Sequence, residues 1–161
     1  MAPRRPRDIG TDAERAVVRW LQGHGFPGAE RRALRGAQDA GDITGTPGIC
    51  WEVKGGAQTK RMSDNQIGTW LAELERARQR ADAAWAVLVT RRHGTGNVGL
   101  WWAWMPLGST ILLGSGPSAP RRRQADRWPV RMRLAALGWP VRMHLAAAVE
   151  LLRAAGYGEP L

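Results

Sequence analysis

The amino-acid sequence predicts an α/β domain, and three observations carry that expectation. Residues 85–90, W-A-V-L-V-T, form an unbroken apolar run of the kind found in a strand buried on both faces. Just upstream, Ile67, Trp70, Leu71, Leu74, Ala77/Arg78 and Ala81 make an apolar stripe at helical spacing. Earlier still, I-C-W-E-V-K at residues 49–54 is rich in β-branched and aromatic side chains and is bracketed by Gly48 and Gly55-Gly56, which marks a strand. With their neighbours these segments give the order α-β-β-β-α-β-β, closing one domain over residues 10–107.

The first nine residues are a Pro/Arg-rich arm and a candidate phosphate contact. T-D-A-E at 11–14 has the form of a capping box, with Thr11 as N-cap and Glu14 at the third helical position. The helix it opens runs to about Gly23, burying Ala13, Val17, Trp20 and Leu21. Gly25 ends it, and F-P-G turns the chain into a strand over residues 29–34 that carries Arg31 and Arg32. Residues 35–43 bend toward a second short strand through Asp42-Ile43-Thr44. In the strand 49–54, alternation places Cys50, Glu52 and Lys54 on one face and Ile49, Trp51 and Val53 on the other, toward a core. S-D-N-Q at 63–66 is a second capping box, opening the striped helix. After the apolar strand, residues 91–97 form a polar turn. A tryptophan-rich strand then spans 98–105, with Trp102 facing opposite to its immediate neighbours, until Pro106 stops it.

Beyond this point the composition changes. Residues 108–127 read as a Gly/Pro/Arg-rich linker holding the apolar run Ile111-Leu112-Leu113 and the basic run Arg121-Arg122-Arg123. W-P-V-R-M-R-L-A-A-L from Trp128 is then repeated as W-P-V-R-M-H-L-A-A-A from Trp139. In each copy a proline stands where a first helical turn tolerates it. Val141, Leu145, Val149 and Leu152 form a stripe on the second helix. Residues 128–161 are therefore expected to be a helical extension, serving in docking or dimerisation.

The net charge of +10 and a pI near 11.5 favour a polyanionic partner. The single cysteine, Cys50, excludes a disulfide framework and a cysteine-based zinc site, and fits a reducing, cytoplasmic setting. The basic start lacks a following apolar stretch, so no secretion signal is expected. No run is long enough to span a membrane. Of the 24 basic residues only Lys54 and Lys60 are lysine. In a chain so biased toward arginine, a lysine kept beside Glu52 points to a compact, tunable point charge, not a generic surface cation.

Asp42 on its glycine bend, with Glu52 and Lys54 side by side on a rigid strand, suits metal-assisted phosphodiester cleavage. Mg²⁺ takes one or two carboxylates plus waters and substrate phosphate, and a bound metal activates water and neutralises developing charge. Asp42 and Glu52 would hold it while the Lys54 ammonium faces the same phosphate. Asp39 is a rival to Asp42, but Asp42 precedes Ile43 and so stands at the start of a strand. Glu14 and Gln66 also have a purely local use in their capping boxes, and Asp42 can serve to shape a turn. Cys50 reads as a small buried neighbour of the site. His24, His93 and His144 are scattered and are not read as ligands or bases. The tryptophans at 101, 102 and 104 read as core and interface.

With these residues in order, 9–105 resembles the PD-(D/E)xK nuclease superfamily, and within it the Holliday junction resolvases of archaea and related phages. G-T-D-A-E-R-A-V is similar to that family's opening helix with its acidic residue, Glu14. G-D-I is similar to its aspartate motif, with Gly41 in place of the usual proline. W-E-V-K is similar to its E-x-K motif, and Gln66 matches a polar residue near the site. The resemblance implies a restriction-endonuclease-like core, a central mixed sheet flanked by helices. It also implies a homodimer that cuts branched DNA with Mg²⁺ or Mn²⁺ and uses no small-molecule cofactor or membrane. Glu14, Asp42, Glu52 and Lys54 would then be catalytic. The metal would be held by Asp42, Glu52 and the Val53 carbonyl, with Glu14 binding it or orienting its waters and Lys54 positioning the attacking water. Arg31, Arg32, Arg35, Lys60, Arg61, Arg121, Arg122 and Arg123 are the candidate backbone contacts. A repair or restriction-type nuclease on duplex or flap DNA, and a non-catalytic DNA-binding protein on the same fold, are the alternatives.

Overall fold

A computed structural model describes residues 6–32, 40–114 and 139–160. Arg35, Asp39, the Arg121–Arg123 run and the first copy of the repeat lie outside the described residues. Helix α1 spans Pro6–Gln22, followed by strands β1 (Glu30–Arg31), β2 (Ile43–Thr44) and β3 (Ile49–Lys54). Helix α2 (Asp64–Arg80) leads to β4 (Trp85–Thr90) and β5 (Trp102–Pro106). Helix α3 (Leu107–Gly114), β6 (Pro140–His144) and α4 (Leu145–Ala154) complete the chain. The six strands form one mixed sheet in sequence order. All neighbours are antiparallel except β3 and β4, which α2 connects in parallel. Among the described residues no helix is long and apolar enough to cross a membrane.

The α/β expectation holds, and the order of the first seven elements is as the sequence predicts. Three local expectations are corrected. Thr11 is not an N-cap, because α1 already begins at Pro6, where the ring's fixed φ suits a first turn. Of the strand anticipated over 29–34, Glu30–Arg31 forms β1 while Ala29 and Arg32 stand outside it, and residues 33 and 34 lie outside the described residues. The tryptophan-rich strand starts only at Trp102, residues Val98–Leu100 forming a 3-10 turn capped by the Asn97 side chain.

The larger correction concerns the C-terminal third. Residues 107–114 are a helix with Leu112 and Leu113 buried, not a linker. The second copy of the repeat is not a helical appendage: its first half is β6, pairing Pro140 to His144 antiparallel with Pro106 to Trp102. A proline is tolerated in an edge strand, where its missing N–H faces outward, and the open side of β5 supplies the ladder. Leu145, Ala148, Val149 and Leu152 of α4 are at most 3% exposed and belong to the main core.

The sheet divides the interior in two. Ile49, Trp51, Val53, Val87, Val89, Ala103 and Met105 face α1, α3 and α4 in the larger core. Cys50, Ala86 and Leu88 face α2 through Ile67, Trp70, Leu74 and Ala77 in the smaller. β4 lies between both, and all six of its residues are buried. Ser63 caps α2 as the sequence predicts, accepting from the Gln66 N–H at 3.2 Å. At the end of β3 the chain passes so close to α1 that a side chain on Gly55 would reach the Ala13 Cβ at 2.2 Å. Helix α1 is thereby held flush against the end of the strand that carries Glu52 and Lys54.

Candidate functional site

Asp42 is fixed by its own backbone before its side chain acts. Its N–H donates to the Trp51 carbonyl at 2.7 Å, and its carbonyl accepts from the Arg32 N–H at 2.8 Å. Gly41 before it has φ near +90°, and a Cβ there would lie 2.7 Å from the Trp51 carbonyl oxygen and 2.9 Å from the Cys50 sulfur. Proline is confined to φ near −65°, so the proline usual in the motif cannot stand at Gly41 in this backbone. The bend carries the Asp42 carboxylate along the β2-facing edge of β3, beyond the Ile43–Trp51 pairing, where its Oδ2 accepts the Val53 N–H at 2.7 Å. In a strand the N–H and carbonyl of one residue lie on the same edge. The Val53 carbonyl is therefore turned toward Asp42, while the next carbonyl, of Lys54, accepts from Arg91 on the opposite edge at 2.9 Å.

Glu52 and Lys54 share the face predicted for them. The Lys54 Nζ donates to Glu52 Oε1 at 2.6 Å, with side-chain exposures of 21% and 13%. The ammonium also sits 5.9 Å from the ring centroid of Trp70 on α2. Burial works against the charge on Lys54, but the hydrogen bond and charge of Glu52, joined by Asp42 and Glu73, raise its pKa above the ordinary value. It is a fixed cation and not a base. Asp42 is raised as well, to about 7, which in a carboxylate disfavours the charged form. Burial is the main cause and the negative charge of Glu52 the second; the Val53 N–H and Lys54 oppose the rise, and Glu14 adds to it.

Glu14 is bonded to the Arg31 Nε at 2.5 Å, tying α1 to β1. Its charge reaches Asp42, so it borders the pair of carboxylates without lying in it. Arg31 is committed to this ion pair, whereas Arg32, Lys60 and Arg61 are exposed. The side chain of Gln66 makes no hydrogen bond to Asp42, Glu52 or Lys54; its backbone N–H serves the helix cap. The sequence marks Trp70 as a core residue and does not mark Glu73, and neither is predicted at the site, although the spacing that puts Trp70 on the buried stripe of α2 also aims that face at β3.

Chemically, the site brings together two carboxylates that repel one another in a poorly solvated place, a carbonyl turned their way and a partly buried ammonium. Oxygen donors of this kind suit a hard divalent ion that keeps several waters. Among the described residues there is no group of three or more His, Cys, Asp or Glu side chains able to hold a metal ion. Protein ligation would thus rest on two carboxylates and a backbone oxygen. No protein-family model, curated protein or solved structure matches the chain.

Proposed function

We propose that this protein is a metal-dependent DNA endonuclease with a restriction-endonuclease-like core, acting as a symmetric dimer on four-way junctions. The observation that carries the reading is the Asp42–Glu52–Lys54 cluster: two carboxylates, one raised to about 7 by burial first and by the charge of the other second, beside an ammonium held charged at 2.6 Å. Crowded acids are unfavourable unless a cation offsets them. Asp42, Glu52 and the Val53 carbonyl would hold Mg²⁺ or Mn²⁺, which supplies a more acidic water and charge neutralisation at phosphate.

The chain's own groups define the rest of the chemistry. The Val53 N–H holds the Asp42 carboxylate in one orientation. Lys54, charged and pinned between Glu52 and the Trp70 ring, orients the attacking water and faces the negative charge that grows on the phosphate oxygens. Glu14 fixes Arg31 at the strand beside Asp42. Two such sites in a symmetric dimer would suit paired nicks across a branch.

The absence of serine from residues 35–41, where archaeal resolvases carry one, favours a second reading: a nuclease acting on linear duplex or flaps. The test is an end-labelled four-way junction beside linear duplex of the same arms, with Mg²⁺, with Mn²⁺ and with EDTA. Metal-dependent paired nicks confined to the junction are the expected result. Cutting of both substrates would establish the second reading. Binding without cutting in either metal would overturn both.

A further inference from the structure

The rows of the sheet that contain Glu52 and Lys54 continue across it. Lys54 pairs with Thr90, Thr90 with Trp102 and Trp102 with His144. One row away, Glu52 pairs with Leu88, Leu88 with Trp104 and Trp104 with Arg142. Directly paired residues project to the same face, so Trp102, Trp104, Arg142 and His144 stand on the face of the candidate site. Arg92, two residues beyond Thr90, joins them. Among the described residues α2 is the one helix on this face, and it lies over β3 and β4.

These side chains form a column. The Arg142 guanidinium lies 4.6 Å from the Trp102 ring centroid and 5.6 Å from that of Trp104. His144 stacks on Trp102 at 5.1 Å and 19°, and the Arg92 guanidinium lies 4.7 Å from the same ring. Arg92 Nη1 donates to His144 Nε2 at 3.1 Å, and the Trp104 indole N–H donates to Thr90 Oγ1 at 3.0 Å. Two other arginines pair with carboxylates, Arg31 with Glu14 and Arg78 with Glu75, whereas Arg92 is partly buried and Arg142 exposed. Neither Arg92 nor Arg142 has an ion pair with a carboxylate among the described residues. A guanidinium lying on an indole is oriented in advance and keeps its N–H edge for a planar or tetrahedral oxyanion.

We infer that Arg92 and Arg142, held on Trp102 and Trp104, form a binding site for the phosphates of a DNA strand. That strand would pass over Glu52 and Lys54. Three strand spacings separate the Lys54 and His144 ends of the row, about 14 Å, or roughly four base-pair rises. The site would therefore grip the same DNA segment a few nucleotides from the point of cleavage. The inference takes from the reading above that the polyanion is DNA, but not that DNA is cut.

The experiment measures binding of a fluorescent 30-base-pair duplex in EDTA across a salt series. Wild type is compared with Arg92→Gln/Arg142→Gln and with Arg15→Gln/Arg19→Gln, a charge-matched change on α1 across the sheet. Loss of two phosphate contacts lowers the slope of log K against log salt by about 1.8, and affinity near 0.1 M salt falls at least about tenfold. The α1 variant changes little. A second measurement needs no variant: DNA should protect Arg92 and Arg142 of the wild type from an arginine-selective dicarbonyl, mapped by mass spectrometry. An unchanged slope, an equal loss in the α1 variant, or failure of wild type to bind DNA overturns the inference. So does a pair of arginines already unreactive in the free protein. Wild type that binds and loses affinity as described, yet never cuts with Mg²⁺, would sink the nuclease reading and leave this surface standing.

Discussion

Replacing Asp42 with asparagine should stabilise the metal-free protein at alkaline pH. An acid whose pKa is higher in the fold than in the unfolded chain contributes its full stability below the unfolded value and loses it as pH rises through the folded value. For Asp42 that window runs from 3.8 to about 7. At about 1.36 kcal/mol per pH unit the ionised carboxylate costs at most about 4 kcal/mol above the window. Asparagine removes this cost and keeps an oxygen for the Val53 N–H, but a neutral acceptor gives back about 1 kcal/mol. We expect Asp42→Asn to gain about 2 kcal/mol at pH 8, a rise in Tm of roughly 4–8 °C. The gain should vanish or reverse near pH 4, where the wild-type carboxyl is protonated in the fold and is only passing through its unfolded value of 3.8, so little of the cost has yet built up. Urea unfolding in EDTA at pH 4, 6 and 8 measures it. A variant less stable than wild type at pH 8, or a difference that does not change with pH, would refute the claim that Asp42 is held against its charge. Added Mg²⁺ should then raise the Tm of the wild type and not of the variant.

Three further outcomes follow from named contacts. Lys54→Met and Lys54→Arg should both lower cleavage at least about 100-fold while duplex binding stays within about threefold, because a planar fork does not replace a compact ammonium; gel-resolved cleavage beside anisotropy separates the two. Gly41→Ala forces a Cβ within 2.7 Å of the Trp51 carbonyl oxygen at a φ near +90°, which should cost at least about 2 kcal/mol in a thermal melt. Gly41→Pro should be worse, although it restores the commoner motif. Leu152→Ala, in a helix residue with no exposed surface, should cost about 3 kcal/mol; a change near zero would mean that α4 is the appendage its sequence suggests.

What could be read from the sequence was what depends on neighbours along the chain. Helix α2 has a local cap at Ser63 and a stripe that repeats for four turns. β3 and β4 are bracketed by glycine or polar turns and carry unmistakable strand composition. Glu52 and Lys54 were legible for the same reason, since period-two alternation decides which face they share. Asp42 was legible as a position but not as a geometry: the Val53 N–H that holds it is eleven residues away, and no local pattern encodes that bond. Glu14 illustrates the converse. T-D-A-E has the form of a cap, yet Pro6 offers an earlier start, and the carboxylate is spent on Arg31 across the fold. P-V-R-M-H fits a helix start and a strand equally well. The open edge of β5, which no reading along the chain reveals, selects the strand.

That pentapeptide also bears on how the two faces of the sheet divide their work. Met143 points into the core beneath α1, α3 and α4, while Arg142 and His144 join the tryptophan column on the other face. One face is sealed by three helices, and most of the apolar burial lies there. The other has α2 over β3 and β4, so a carboxylate pair, an ammonium and two stacked arginines stand at its margin without interrupting the main core. The consequence is a separation of effects. Shortening Leu145, Val149 or Met105 should lower stability and leave the salt dependence of DNA binding unchanged, because these residues stabilise the sheet from behind. Changing Arg142 should do the reverse. A core substitution that altered the salt slope as much as loss of Arg142 would show that the two faces are not separable in this fold.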